Sequence, residues 1–333
     1  MKVLVTDYVW PNLDREREIL ARVGAETIVS PSGAEADLLK LAPECDAILN
    51  CFAKVTPAVL RAAKQCLHVA RYGIGVDSIA VDVATELGII VTNVPDFCTD
   101  EVAEHTLGLM LACARKIPAY DRSVKSGKWD NLSGRPIHKV KGSTLGIIGY
   151  GKIARALVRK SSGLEMHYLA YDPVLSAKAR DIPGVEFVNL DTLLRLSDFV
   201  SIHCPLTHET RGMIGREELR KMKPTAYLIN CARGPIVEQH ALADALREGW
   251  IAGAGLDVLP QEPPSPGNRL LTAERAILTP HAAFYSEESL MELQTEAAEE
   301  VARVLRGERP LNVVNPGVLG KARAARLRGS EPV

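Results

Sequence analysis

Apolar and β-branched residues come in short runs along this chain, and the stretches between them carry apolar positions three or four apart. Residues 2–6, 27–29, 47–50, 67–71 and 89–92 read as strands, while 13–23 and 34–41 read as helices. Strands alternating with helices imply right-handed βαβ units, hence a parallel sheet covered on both faces. The first hundred residues therefore predict one small doubly wound unit. Asn93-Val94-Pro95 ends the series, because proline has no amide donor and turns its predecessor away from helix. Residues 101–117 (EVAEHTLGLMLACARKI) then predict a long, largely buried helix. It is acidic in the first turn and basic in the last, matching the helix dipole.

After a polar stretch at 126–142 a second series begins, with candidate strands at 144–148, 166–171, 198–203, 226–230, 252–257 and 276–279. The fold class is α/β, with two doubly wound parallel-sheet domains. A final helical segment, 287–306, follows the second unit through a short link, and periodicity leaves open which sheet it covers. The basic tail 321–333 (KARAARLRGSEPV) has no apolar periodicity and is expected to be a disordered end.

Composition agrees and removes some alternatives. A chain of 333 residues, 47% of them hydrophobic, can fill two cores. Forty basic against 41 acidic residues leave a net charge of -1, so no broad field gathers nucleic acid or anionic lipid. The longest apolar stretches are about nine residues, well short of the roughly 20 that span a bilayer. The start, MKVLVTD, reads as a strand rather than a signal peptide, so a cytoplasmic protein is expected. Seven scattered cysteines, with no Cys-x-x-Cys pair, predict reduced core thiols and no metal site.

The segment 144–154 places Gly149-x-Gly151-x-x-Ala154 between a buried strand and a helix, which is the context a dinucleotide fingerprint requires. Gly149 permits the tight turn, Gly151 lets the backbone approach a pyrophosphate, and Ala154 lets the helix pack closely. Lys152 and Ile153 open the helix whose N-terminus receives the phosphates. Asp172 closes the next strand, 21 residues beyond Gly151 (172 − 151). A carboxylate there accepts the ribose hydroxyls and repels a 2′-phosphate, so the expected cofactor is NAD.

Three further strand ends carry reactive side chains: Arg233 in NCARG, Glu262 in DVLPQEP, and His281 in TPHA. In an open parallel sheet such ends face the ligand. Oxidising a small 2-hydroxy acid needs a base for the hydroxyl proton, a cation for the carboxylate and a hydride acceptor held in line. His281, Arg233 and NAD fill those roles, with Glu262 fixing the imidazole tautomer and favouring its charged form. Arg233 offers a planar fork that matches a carboxylate.

These motifs, with RYGIGVD (71–77), HCPLTHETRG (203–212), INCARGPIVE (229–238) and HAAFYSEES (281–289), make the chain resemble the D-isomer-specific 2-hydroxyacid dehydrogenase family over nearly its whole length. It looks most like the C-terminal-binding-protein and phosphoglycerate dehydrogenase branch. The resemblance implies a Rossmann-type NAD domain at 101–284, a smaller flavodoxin-like substrate domain formed by 1–100 and 285–333, and a homodimer. It matches Arg233, Glu262 and His281 to the family's catalytic set, with His281 also contacting the cofactor. Asp257 matches the carboxylate that holds the nicotinamide amide. Cys204-Pro205 and Cys231-Ala232 would flank the adenine and nicotinamide ribose, with Thr106 near the nicotinamide end. Gly73-Ile74-Gly75 amides would hold the substrate carboxylate beside Arg71, while Tyr72 and Phe284 set the pocket.

Phe284 stands where the animal corepressor branch carries tryptophan, so that branch's substrate preference does not carry over. Formate oxidation is disfavoured, because the family's formate enzymes carry glutamine where this chain has Glu262. The chain also lacks the regulatory extension of longer phosphoglycerate dehydrogenases, so feedback by an amino acid is not expected. The competing reading is an NAD(H)-sensing, corepressor-like binding module. The partners expected are a small 2-keto or 2-hydroxy acid and a second copy of the chain, with neither nucleic acid nor membrane.

Overall fold

The structure is a computed structural model that describes residues 1–175, 182–320 and 323. Its backbone separates into two compact units, Met1–Phe97 with Ser286–Val333, and Cys98–Tyr285.

The first unit alternates β1 (Lys2–Val5), α1 (Asp14–Ala21), β2 (Glu26–Val29), α2 (Glu35–Leu41), β3 (Ala47–Asn50), α3 (Pro57–Ala62), β4 (His68–Arg71), α4 (Val81–Glu86) and β5 (Ile90–Thr92). The sheet order is β2-β1-β3-β4-β5 and every pairing is parallel, which is the flavodoxin-like order. Strands β3 and β4 are buried on both faces, as a sheet sandwiched between helices demands. Leu4, Ile48, Val69 and Val91 meet Leu38, Leu60 and Val59 in its core.

The last helix, α11 (Glu287–Leu305), packs against α1, β3 and β4. This settles the question the spacing left open: the helix covers the first sheet. Ser286 caps it, accepting from Ser289 N at 2.9 Å. Beyond it, Val313 bridges Thr92 antiparallel and the Asn315 side chain accepts from Val91 N at 2.8 Å. The tail 321–333 lies outside the described residues except Arg323, whose guanidinium donates to the Cys66 carbonyl at 2.9 Å.

The second unit begins with α5 (Thr99–Arg115), which ends where Lys116 turns left-handed at φ 56. A separate helix, α6 (Ile117–Lys125), follows with a proline in its first turn; apolar spacing alone did not reveal it. Then come β6 (Thr144–Ile148), α7 (Lys152–Ser161), β7 (His167–Tyr171), β8 (Val185–Phe187), α8 (Leu190–Leu196), β9 (Phe199–Ile202), α9 (Arg216–Lys221), β10 (Tyr227–Asn230), α10 (Gln239–Glu248), β11 (Gly253–Leu256) and β12 (Ala276–Leu278). The three-residue edge strand β8 was also not anticipated. The order β8-β7-β6-β9-β10-β11-β12 is the doubly wound Rossmann arrangement extended by one strand. Its winding reverses between the neighbours β6 and β9, which opens a crevice at their carboxyl ends. Helix α5 packs on α7, β10 and β11.

All seven cysteines are free, five of them buried. No helix among the described residues is long and apolar enough to cross a membrane. No group of three or more His, Cys, Asp or Glu among them could hold a metal.

Candidate active site

The turn after β6 brings three distant segments together. Gly149 adopts φ 86, and its amide donates to the Tyr171 carbonyl at 2.8 Å. A Cβ there would lie 2.6 Å from the Cys204 amide nitrogen, so only glycine lets the fingerprint meet the Cys204-Pro205 loop. Gly151, which caps α7, differs: a Cβ there meets nothing within 4 Å. The space above it is open at the helix N-terminus beside Lys152 and Ile153, which fits a pyrophosphate. Ala154 is fully buried, as close packing of α7 requires. Asp172 Oδ2 accepts from Tyr150 N at 2.9 Å, and Oδ1 accepts from Val174 N at 3.0 Å and Leu175 N at 3.2 Å. The carboxylate is thereby fixed beside the fingerprint turn, where a dinucleotide's ribose could bind.

At the ends of β10, β11 and β12 the structure gathers the other residues. His281 Nδ1 lies 2.7 Å from Glu262 Oε2, and Glu262 Oε1 accepts from Leu259 N at 2.9 Å. The imidazole and carboxylate are thus paired, and the carboxylate is tied to its own loop. The Phe284 ring meets the His281 ring edge-on at 6.4 Å. Arg233 Nη1 donates to the Ala232 carbonyl at 2.8 Å, while the Asn230 amide bonds the Arg233 carbonyl at 3.0 Å. Gly234 is buried so tightly that a Cβ would fall 2.0 Å from the Leu259 carbonyl carbon. The Arg233 and Glu262 segments are therefore in backbone contact.

Asp257 is buried, and its carboxylate turns onto the His281 loop. Oδ1 accepts from Thr279 Oγ1 at 2.6 Å and Ala282 N at 2.9 Å, and Oδ2 accepts from Ala283 N at 2.9 Å. Thr106 is buried in α5, its hydroxyl donating to Val102 O at 2.7 Å. Burial pushes the Cys231 thiol up to about 12 and the Cys204 thiol up to about 11, so neither is a thiolate nucleophile near neutral pH.

In the first unit, Arg71 is buried at the end of β4, donating to the Tyr72 carbonyl and lying 5.8 Å over the Phe52 ring. Gly73 follows at φ 140, with Ile74 and Gly75 partly exposed beyond it. The Tyr72 side chain points into the interior, where its hydroxyl donates to Glu16 at 3.1 Å and its ring meets Trp10 edge-on at 4.7 Å. Burial raises the pKa of both Glu16 and Tyr72.

Two residues with evident positions in this network had no assigned role in the sequence: Thr279, and His105, whose Nε2 lies 2.9 Å from Thr279 Oγ1. The only local signal was that His105 and Thr106 stand just before the apolar run 107–114 of the helix.

A Rossmann crevice with this fingerprint and an acidic residue at the second strand, with a histidine–carboxylate pair at the opposite strand ends, defines a dinucleotide-binding domain. The family model for D-isomer specific 2-hydroxyacid dehydrogenase, NAD binding domain, matches residues 107–283. The glyoxylate reductase of Korarchaeum cryptofilum is 43% identical over 287 residues, covering 85% of this chain and 86% of that protein. The D-3-phosphoglycerate dehydrogenase of Archaeoglobus fulgidus is 39% identical over 316 residues, 95% of this chain but 59% of that longer protein. This chain thus spans about three-fifths of the phosphoglycerate dehydrogenases it matches first. A solved glyoxylate reductase from Paecilomyes thermophila superposes with TM-score 0.85 at 27% identity, over 94% of this chain and 98% of that one. The chain belongs to the D-isomer-specific 2-hydroxyacid dehydrogenase family.

Proposed function

We propose that this protein is an NAD-dependent oxidoreductase of small D-2-hydroxy acids and 2-keto acids, with the first unit as substrate domain and the second as cofactor domain. The observation that carries it is the 2.7 Å pairing of His281 Nδ1 with Glu262, which directs proton exchange to Nε2 and keeps the ring oriented. In the reductive direction His281 gives its proton to the developing alkoxide oxygen, and Glu262 stabilises the ring while it is charged. Arg233 takes the substrate carboxylate and polarises the keto oxygen, and in the first unit Arg71 with the amides of Gly73, Ile74 and Gly75 is the set proposed for substrate contact. Phe284, edge-on to His281, bounds the side-chain pocket.

NAD supplies or accepts the hydride. The chain would hold it through Gly149, Gly151, Lys152 and Ile153 at the pyrophosphate and Asp172 at the ribose. Cys204-Pro205, Cys231-Ala232 and Thr106 would flank it, and Asp257 and His281 would lie at the nicotinamide.

A homodimer is supported by α6 and the segment after it. No residue of α6 is buried, and Ile117, Val124, Leu132 and Trp129 (89% exposed) offer apolar surface. Sedimentation checks this, and a monomer at micromolar concentration would remove it. Free thiols throughout fit a reducing compartment, so we place the protein in the cytoplasm.

The names of the relatives suggest glyoxylate and the 2-keto acid of 3-phosphoglycerate as first substrates. The test is NADH oxidation at neutral pH across these and longer, branched or aromatic 2-keto acids. Saturable turnover on one class is expected; tight NADH binding without turnover on any would replace the enzyme with a cofactor-sensing module.

A further inference from the structure

His281 has a left-handed backbone, φ 54, in a residue that is not glycine. Side chains disfavour that region, and it persists only where the surroundings impose it. Asp257 does so from both sides of the residue. Its carbonyl accepts the His281 amide at 2.7 Å, and its carboxylate accepts the amides of Ala282 and Ala283, each at 2.9 Å. The orientation of the imidazole toward Glu262 is therefore set by how the Asp257 carboxylate is held.

The carboxylate in turn has two partners that belong neither to its own strand end nor to the two amides. Thr279 Oγ1 lies 2.6 Å from Oδ1, and His105 Nε2 lies 2.9 Å from Thr279 Oγ1 and 3.5 Å from Oδ1. A hydroxyl has one hydrogen. It goes to the carboxylate, which already accepts two backbone amides, so the Thr279 oxygen accepts the second bond and His105 Nε2 must donate it. This assigns the tautomer of His105 by donor counting. A chain of hydrogen bonds, all pointing the same way, runs from α5 through Thr279 to the carboxylate that clamps the His281 turn.

We propose that His105 is a positioning residue, which through Thr279 and Asp257 fixes the left-handed turn that presents His281 to Glu262. The proposal rests on His281 acting as the acid–base group. A residue on α5, 176 positions from His281 in the chain (281 − 105), thus governs the proton-transfer geometry without touching substrate.

Two variants remove the donors at similar size, His105→Phe and Thr279→Val. Two others, His105→Gln and Thr279→Ser, keep a donor. Amide hydrogen exchange at Ala282 and Ala283 in the apoprotein reads the clamp directly, and it is expected to speed up at least about tenfold in the first pair but not the second. In keto-acid reduction kcat should fall roughly tenfold or more in the first pair, with KM for the keto acid within about twofold. The double variant should be no worse than the poorer single one, because both act through one chain of bonds. If Thr279→Val does not fold, the His105 pair with Thr279→Ser decides. A folded His105→Phe protein with wild-type exchange at both amides and wild-type kcat would overturn the proposal. If the wild-type protein shows no turnover, the dehydrogenase reading fails instead, while the exchange measurement still decides the clamp.

Discussion

Replacing Gly234 by alanine adds one methyl group at the point where the segments carrying Arg233 and Glu262, the proposed catalytic residues, touch. The added Cβ would lie 2.0 Å from the Leu259 carbonyl carbon, 2.3 Å from its oxygen and 2.4 Å from Pro260 N. Ordinary contact begins near 3.4 Å, so the two backbones must separate by about 1.4 Å (3.4 − 2.0). No side-chain rotation relieves this, because every atom met is backbone. On one side, the displacement falls next to Arg233. On the other it falls on Leu259, whose amide holds Glu262 Oε1 at 2.9 Å. A misplacement of about 1 Å can cost ~10²-fold in rate, or about 2.7 kcal/mol of barrier. Overpacking adds about 1–3 kcal/mol of lost stability. The expected result is a kcat lower by about two orders of magnitude, an NADH Kd near wild type and a reduced Tm. Steady-state NADH absorbance, isothermal titration and scanning calorimetry measure the three. Gly151→Ala is the contrasting control. Nothing lies within 4 Å of its Cβ, so Tm should hold while NADH binding weakens. A Gly234→Ala protein with wild-type kcat would refute the reasoning, because the Glu262 loop would then move without consequence.

Glu262→Gln keeps an acceptor for Leu259 N but removes the charge facing His281 Nδ1, so kcat should fall roughly 10²- to 10⁴-fold with NADH binding unchanged, as stopped-flow reduction would show. Asp172→Ala removes a charged acceptor and releases three backbone amides, so NADH affinity should drop roughly 10- to 100-fold and the preference over NADPH should narrow in parallel titrations. His68 predicts an acid sensitivity. It is fully buried, with Nε2 2.8 Å from Thr92 Oγ1, and burial pushes its pKa down to about 3 from 6.5. Its contribution is intact above pH 6.5. It is lost as pH falls from there toward 3, because the unfolded chain takes up a proton that the folded one refuses. Between pH 7 and pH 5 that amounts to about 2 kcal/mol, at ~1.36 kcal/mol per unit. Urea unfolding at the two pH values should show His68→Gln losing less stability than wild type by that amount; equal losses would refute it.

The features legible in the sequence are those whose chemistry is local. A strand, a glycine turn and a helix follow one another within eleven residues at 144–154, so the fingerprint is readable without tertiary knowledge. Asp172, Arg233, Glu262 and His281 stand at strand ends, and a parallel sheet sends all such ends to one side. Both sheets were readable because buried parallel strands are nearly continuous apolar runs. What escaped depends on contacts between distant positions. The close approach of Gly234 to Leu259, the hydrogen bond of His105 to Thr279 and the inward turn of Tyr72 onto Glu16 leave no periodic trace. Helix α6 was missed for a different reason: none of its residues is fully buried within its own chain, so no apolar face toward a core marks it. Strand β8 is only three residues long, below what alternation can signal.

The central claim is that this chain moves hydride between nicotinamide and the C2 carbon of a small acid, with His281 managing the proton. NADH carrying deuterium at both C4 positions, offered with a 2-keto acid, tests it most directly, by mass spectrometry of the product in the wild-type protein and in His281→Ala. The account predicts deuterium at C2 of the product in the wild type. In His281→Ala it predicts transfer slowed about 10²- to 10⁴-fold, with NADH binding within about twofold. Tight NADH binding with no deuterium reaching any acid, or undiminished transfer in His281→Ala, would contradict it.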